Sequence, residues 1–278
     1  MDEKNAVSLP QVTTLAYGDH SSQFIDVYTP DGTGPHPVVV LIHGGFWRLP
    51  WGRDLMLGLA SDLVRRGFAA VNVEYRRLGE DGGGWPGTCE DILSALAALA
   101  GTGKRADQPS ADPATSPDLH LDLGRVGLVG HSAGGHLALW AAKRAPLPPR
   151  IVVSQSGVLD LRAAARDLLD ANADGRLPAT AEFMGGEPDD ADCGAAYSLA
   201  SPIELLPLGR AVHQFVLHGD ADNRVPFQQS VDYVAAARAA GDSVEFAAFT
   251  GMGHFEVIDP AHESWLRAVE ELTRRLGA

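Results

Sequence analysis

The chain has 278 residues, enough to bury one sizeable core, and its 45% hydrophobic and 21% charged residues are an ordinary globular balance. Acidic side chains (36) outnumber basic ones (22) for a formal charge of −14, which repels phosphate backbones and anionic lipid and argues against nucleic acid or a membrane surface as partner. No apolar run approaches the roughly 18 residues of a membrane span, the N-terminus lacks the basic-then-apolar pattern of a secretory signal, and Cys89 and Cys193 match no metal or redox spacing, so the expectation is a cytoplasmic protein with free thiols and neither metal nor cofactor.

The first strand-like segments, 11–17 and 23–29, mix polar and apolar residues, as edge strands with one wet face do. Residues 37–42 include the run Val38-Val39-Val40-Leu41-Ile42, which suits a central strand covered on both faces. A helix is expected over 53–66, where Leu55, Leu59 and Leu63 make one stripe and Gly67 a stop. A strand at 69–73 and a helix at 88–100 follow, with Thr88 as its cap and Ile92, Leu96 and Leu99 on its buried face. Residues 101–118, rich in Pro, Asp, Ser and Thr, read as a surface loop.

A strand at 126–130 runs into Gly130-His131-Ser132-Ala133-Gly134, and a helical pattern begins by His136. Ile151-Val152-Val153 marks another buried strand. The stretch 157–206 is longer than one crossover helix needs; it holds a helix at 161–171 and reads as a small cap over the site. Strands at 213–218 and 244–249 alternate with helices at 227–240 and 262–276. Such alternation implies an α/β fold: one domain over 1–278, with about eight mostly parallel strands and helices on both faces.

The chemistry sits at strand ends. A serine between a strand and a helix needs glycines where a Cβ would clash, and the turn thrusts its hydroxyl out beside the free N–H groups of the helix N-terminus. Ser132 is therefore the candidate nucleophile. His43-Gly44-Gly45-Phe46-Trp47 ends an apolar strand, where backbone N–H groups can stabilise a developing oxyanion. The donors assigned are Ala133 and Gly45, with Gly44 and Phe46 as competitors; His43 is read as bracing the loop.

A serine hydroxyl needs a base. His254, in a glycine-rich loop after strand 244–249, follows the serine as chain order requires. His131 and His136 receive no role. For the acid, Asp220 and Asp222 compete in the turn Gly219–Pro226. Trp47 and Trp85 are candidate pocket residues. Trp51 is a further candidate, with loop packing as its competing reading.

Together these stretches resemble the α/β-hydrolase superfamily over about residues 37–260. More narrowly, the chain is similar to small intracellular esterases with a His-Gly-Gly-x-Trp loop, including kynurenine formamidase-like and acyl-peptidase-like enzymes. The likeness lies in His43–Trp47, Gly130–Leu137, Ser156–Leu161, Ser201-Pro202 and His218–Pro226. It places the acid on Asp222 and the base on His254. It implies an esterase for small carboxylic esters working through an acyl-enzyme, with an arylformamidase or other amidase or peptidase as second reading. A non-catalytic binding protein on the same fold is the third reading, since fold alone does not imply function.

Overall fold

The computed structural model describes residues 11–102, 119–167 and 178–277. All eight expected strands form one sheet: β1 (Gln11–Ala16), β2 (Phe24–Thr29), β3 (His36–Ile42), β4 (Ala69–Glu74), β5 (Leu121–His131), β6 (Ile151–Gln155), β7 (His213–Gly219) and β8 (Ser243–Phe249). Their order is β1-β2-β4-β3-β5-β6-β7-β8. β1 and β2 are antiparallel, and every pairing from β4 to β8 is parallel.

β5 begins five residues before its expected start. Leu121 and Asp122 pair with His36 and Pro37 ahead of a register shift at Pro37/Val38, and the apolar pattern that marks the strand begins only after the shift.

Alternate residues of β3 feed two cores. Val38, Val40 and Ile42 face one layer, with α2 (Gly87–Thr102), α3 (Ala133–Ala142) and α7 (Gln228–Ala239); Val39 and Leu41 face the other, with α1 (Leu57–Arg65) and α8 (Glu263–Leu276). Every position of β3 from Pro37 onward is therefore buried, which is why its sequence shows no alternation.

The first turn of the expected 53–66 helix is 3₁₀, Arg53–Met56. Thr88 is not a cap: it lies inside α2, where its hydroxyl donates to Arg76 C=O and accepts from Gly84 N–H. Gly101 and Thr102 belong to α2, and the rest of the expected 101–118 loop lies outside the described residues.

The 157–206 stretch carries α4 (Leu161–Arg166), α5 (Ala179–Met184) and α6 (Gly194–Ala200). Asp160 caps α4, accepting from Ala163 N–H at 3.0 Å. The last expected residues of that helix, through 171, lie outside the described residues. Phe183 of α5 stacks on Trp47 at 4.4 Å, and Glu182 pairs with Arg48 at 2.6 Å.

Candidate active site

Ser132 stands between β5 and α3 with φ 57° and ψ −119°. A non-glycine residue at positive φ costs of order 1–3 kcal/mol and persists only where its surroundings over-determine it. Here Ser132 N–H donates to Gln155 C=O at 2.8 Å, and its own C=O accepts from Gly135 N–H at 2.9 Å. A Cβ on Gly130 would lie 2.0 Å from Gly134 O, and one on Gly134 would lie 2.0 Å from Ile42 O. Both atoms are backbone and cannot step aside, so the turn requires those glycines.

The loop after β3 takes positive φ at Gly45 (109°), Phe46 (52°) and Trp47 (56°). A Cβ on Gly44 would lie 2.8 Å from the Cβ of Ser132, so the loop lies directly against the serine. The amides of Gly45, Phe46 and Ala133 donate to no backbone carbonyl among the described residues. His43 lies beneath, fully buried and stacked on Tyr75 at 4.2 Å. Its Nδ1 is 2.7 Å from Gly44 O and its Nε2 3.0 Å from Glu74 Oε1. Burial would raise the Glu74 carboxyl, but the His43 hydrogen bond and charge, an amide from Arg53 and the Arg77 charge hold it below its ordinary value.

Beyond β7, Asp222 Oδ2 lies 2.7 Å from His254 Nδ1. Asp222 Oδ1 accepts the amides of Arg224 (2.8 Å) and Val225 (2.9 Å). Burial opposes its ionisation. Hydrogen bonds from His218 and His254, the His254 charge and the Val225 amide more than offset that and hold the carboxyl far below its usual range. Asp220 faces elsewhere: its Oδ1 accepts Gly251 N–H at 2.6 Å, tying the turn to the histidine loop. His131 Nε2 lies 3.0 Å from His254 C=O, so it donates to the backbone of that same loop.

Ser132 and His254 open on one cavity of about 210 Å³, lined also by Gly45, Phe46, Trp51, Leu55, His131, Arg224 and Phe255. Trp47 is not on it. It is fully buried, and its indole N–H donates to His136 Nδ1 at 3.3 Å. The left-handed backbone at Phe46 and Trp47 turns that ring inward onto Phe183. Trp85 stands edge-on to Trp140 at 5.8 Å and is absent from the described lining. Trp51, 44% exposed, takes the pocket position instead. Its sequence signal was an aromatic residue among loop residues, which does not separate lining from packing. No described lining residue comes from 157–206.

One group of metal-ligating side chains occurs among the described residues: His213, Glu245 and Glu271, near the start of β7 and far from Ser132. Arg267 and Arg274 lie 2.7 and 2.9 Å from Glu271 Oε1 and Arg267 also pairs with Glu245, so the cluster is an ion-pair network. No described helix is long and apolar enough to cross a membrane.

Residues 61–273 match the model of the prolyl oligopeptidase family. The chain is similar to Esterase LipQ of Mycobacterium tuberculosis, 28% identical over 83% of this chain and 53% of that protein. It is also similar to the human acylamino-acid-releasing enzyme, 25% identical over 87% of this chain and 32% of that one. It spans about half the length of the first of these curated relatives and a third of the second. Among solved structures, a bacterial heroin esterase aligns over 96% of this chain and 85% of that chain, with TM-score 0.71 and 25% identity. Esterase B from Lactobacillus rhamnosis aligns over 95% and 84%, with TM-score 0.74 and 20% identity. The fold is that of the α/β-hydrolases.

Proposed function

We infer that this chain, which belongs to the prolyl oligopeptidase family, is a serine hydrolase that cleaves small carboxylic esters through an acyl-enzyme on Ser132, His254 and Asp222. One observation carries the reading: Ser132 and His254 share a cavity while Asp222 lies 2.7 Å behind the far nitrogen of His254.

In this mechanism His254 Nε2 takes the Ser132 hydroxyl proton as Oγ bonds to the ester carbonyl carbon. The carbonyl oxygen becomes an oxyanion, held by the amides of Ala133 and Gly45, with Phe46 and Gly44 alongside. Asp222 keeps the His254 proton on Nδ1 and stabilises the imidazolium without taking that proton. His254 then gives its Nε2 proton to the departing alkoxide, and the C–O bond to the alcohol breaks. Water, deprotonated by His254, attacks the acyl-enzyme, and Ser132 regains its proton as the acid leaves.

A cavity of about 210 Å³ is below the roughly 300 Å³ at which drug-sized ligand sites begin, and Phe46, Trp51 and Phe255 give it aromatic walls; both features favour compact acyl or aryl groups. The described part of the 157–206 segment serves in this reading as a brace behind the oxyanion loop, through Phe183 on Trp47 and Glu182 on Arg48. Likeness to the acylamino-acid-releasing enzyme supports a second reading, an amidase or peptidase on the same three residues.

The test is fluorophosphonate labelling of the wild-type protein and Ser132→Ala, with turnover of p-nitrophenyl acetate and butyrate against N-formylkynurenine and an N-acetyl dipeptide. Labelling and ester turnover lost together in Ser132→Ala support the proposal. Full esterase activity in Ser132→Ala overturns it, and faster acyl-peptide or formamide cleavage favours the second reading.

A further inference from the structure

Asp222 is held by more than the mechanism uses. Its Oδ2 meets two imidazoles, His254 Nδ1 at 2.7 Å and His218 Nε2 at 3.1 Å, while its Oδ1 takes the two amides described above. Four donors thus meet the four lone-pair positions of an ionised carboxylate.

His218, the next-to-last residue of β7, is fully buried and does not line the cavity. It cannot reach Ser132 or a substrate. Its Nε2 also lies 3.1 Å from Val225 O, and its Nδ1 lies 2.8 Å from Ser230 Oγ on α7. Nε2 faces two acceptor oxygens and must carry a proton, and the Ser230 hydroxyl occupies the other nitrogen. The ring is therefore fixed at both ends, by α7 and by the turn that carries Asp222. Phe227 packs edge-on to it at 5.6 Å.

We propose that His218 is a positioning residue: it locks the Asp222 carboxylate toward His254 and takes a share of its charge, and so sets the pH at which His254 becomes a working base. The proposal rests on the assignment of Asp222 and His254 above. A carboxylate that gives up one donor presents more charge to the remaining imidazole, and the imidazolium is held more tightly. Without His218 the acid limb of kcat/KM moves to higher pH. The other groups around His254 stay as they are: the His131 ring at 4.7 Å, Arg224 on the cavity wall, and the Glu256 carboxylate beside Gly253.

The experiment is the pH profile of kcat/KM on p-nitrophenyl acetate for the wild type, His218→Gln, His218→Asn and Ser230→Ala, with Asp222→Asn as reference. A glutamine amide nitrogen reaches the place of Nε2, whereas an asparagine reaches only that of Nδ1. His218→Asn is expected to raise the acid limb by about 0.5–1 pH unit and lower kcat about tenfold or more, with His218→Gln close to wild type. Ser230→Ala, which keeps the ring but frees one end, is expected to shift the limb in the same direction by less. It carries the test alone if the His218 variants do not fold. A merely structural histidine would cost Tm in both His218 variants and leave the limb in place. Asp222→Asn inactive with every limb unmoved, or Gln and Asn shifted equally, overturns the proposal while the triad stands. Asp222→Asn as active as wild type overturns the triad and this inference with it.

Discussion

Replacing Trp47 with phenylalanine separates a core role from a pocket role. His136 is fully buried; its Nε2 lies 3.1 Å from Ala200 O and so carries the proton, leaving Nδ1 as an acceptor whose donor is the Trp47 indole N–H. Phenylalanine keeps the stacking on Phe183 and removes only that donor and part of the ring. A buried acceptor left unpaired costs about 1–3 kcal/mol. At roughly 2–4 °C per kcal/mol, Tm falls by about 2–12 °C. Because Trp47 has no exposed surface, kcat/KM on p-nitrophenyl acetate at 25 °C stays within about twofold of wild type. Calorimetry and steady-state kinetics on one preparation give both numbers. Trp51→Ala is the mirror experiment: the ring lines the cavity and is 44% exposed, so KM rises while Tm barely moves. Trp47→Phe with an unchanged Tm and KM raised more than about tenfold would refute the placement.

Three other outcomes follow from the same geometry. Gly44→Ala forces a Cβ to within 2.8 Å of His131 O and the Ser132 Cβ, pushing the loop after β3 away from the serine; if its amides hold the oxyanion as proposed, kcat drops by about 10²-fold or more, read in steady-state turnover. Asp220→Asn keeps the Asp222–His254 contact and changes only the acceptor for Gly251 N–H, so it retains activity within about tenfold, whereas Asp222→Asn loses about 10⁴-fold. Burial holds His131 down to about 3 and His136 down to about 4. With folded values below the unfolded one near 6.5, the unfolded chain binds more protons as pH falls, so these two groups remove stability from pH 6.5 downward, about 3–4 kcal/mol in all between pH 7 and pH 5. Urea unfolding measures it; His136→Gln should lessen the loss between pH 7 and pH 5 by about 2 kcal/mol, and an unchanged slope would contradict the assignment.

Much of this protein is legible from local pattern. Continuous apolar runs mark β3 and β6 because central parallel strands bury both faces. The glycines around Ser132 mark its turn because neighbouring backbone leaves no room for a Cβ, and the glycine-rich loop marks His254 at the end of β8. These are consequences of what residues do to their immediate neighbours in the chain. Contacts across the chain are another matter. Asp220 and Asp222 are alike in sequence; only the tertiary structure aims one at a histidine 32 residues away and the other at Gly251 N–H. Trp47 and Trp51 are alike as well, and the left-handed backbone at Phe46 and Trp47, which few non-glycine residues adopt, is what sends one ring into the core and leaves the other on the cavity. His218 gave no sign of its contact with Asp222, since two imidazoles meet one carboxylate only where the end of β7, the turn after it and the loop after β8 are folded together. Sequence by itself determined the elements and the residue types at their ends; the tertiary structure decided which side chains face each other, because that depends on directions in space that no local pattern carries.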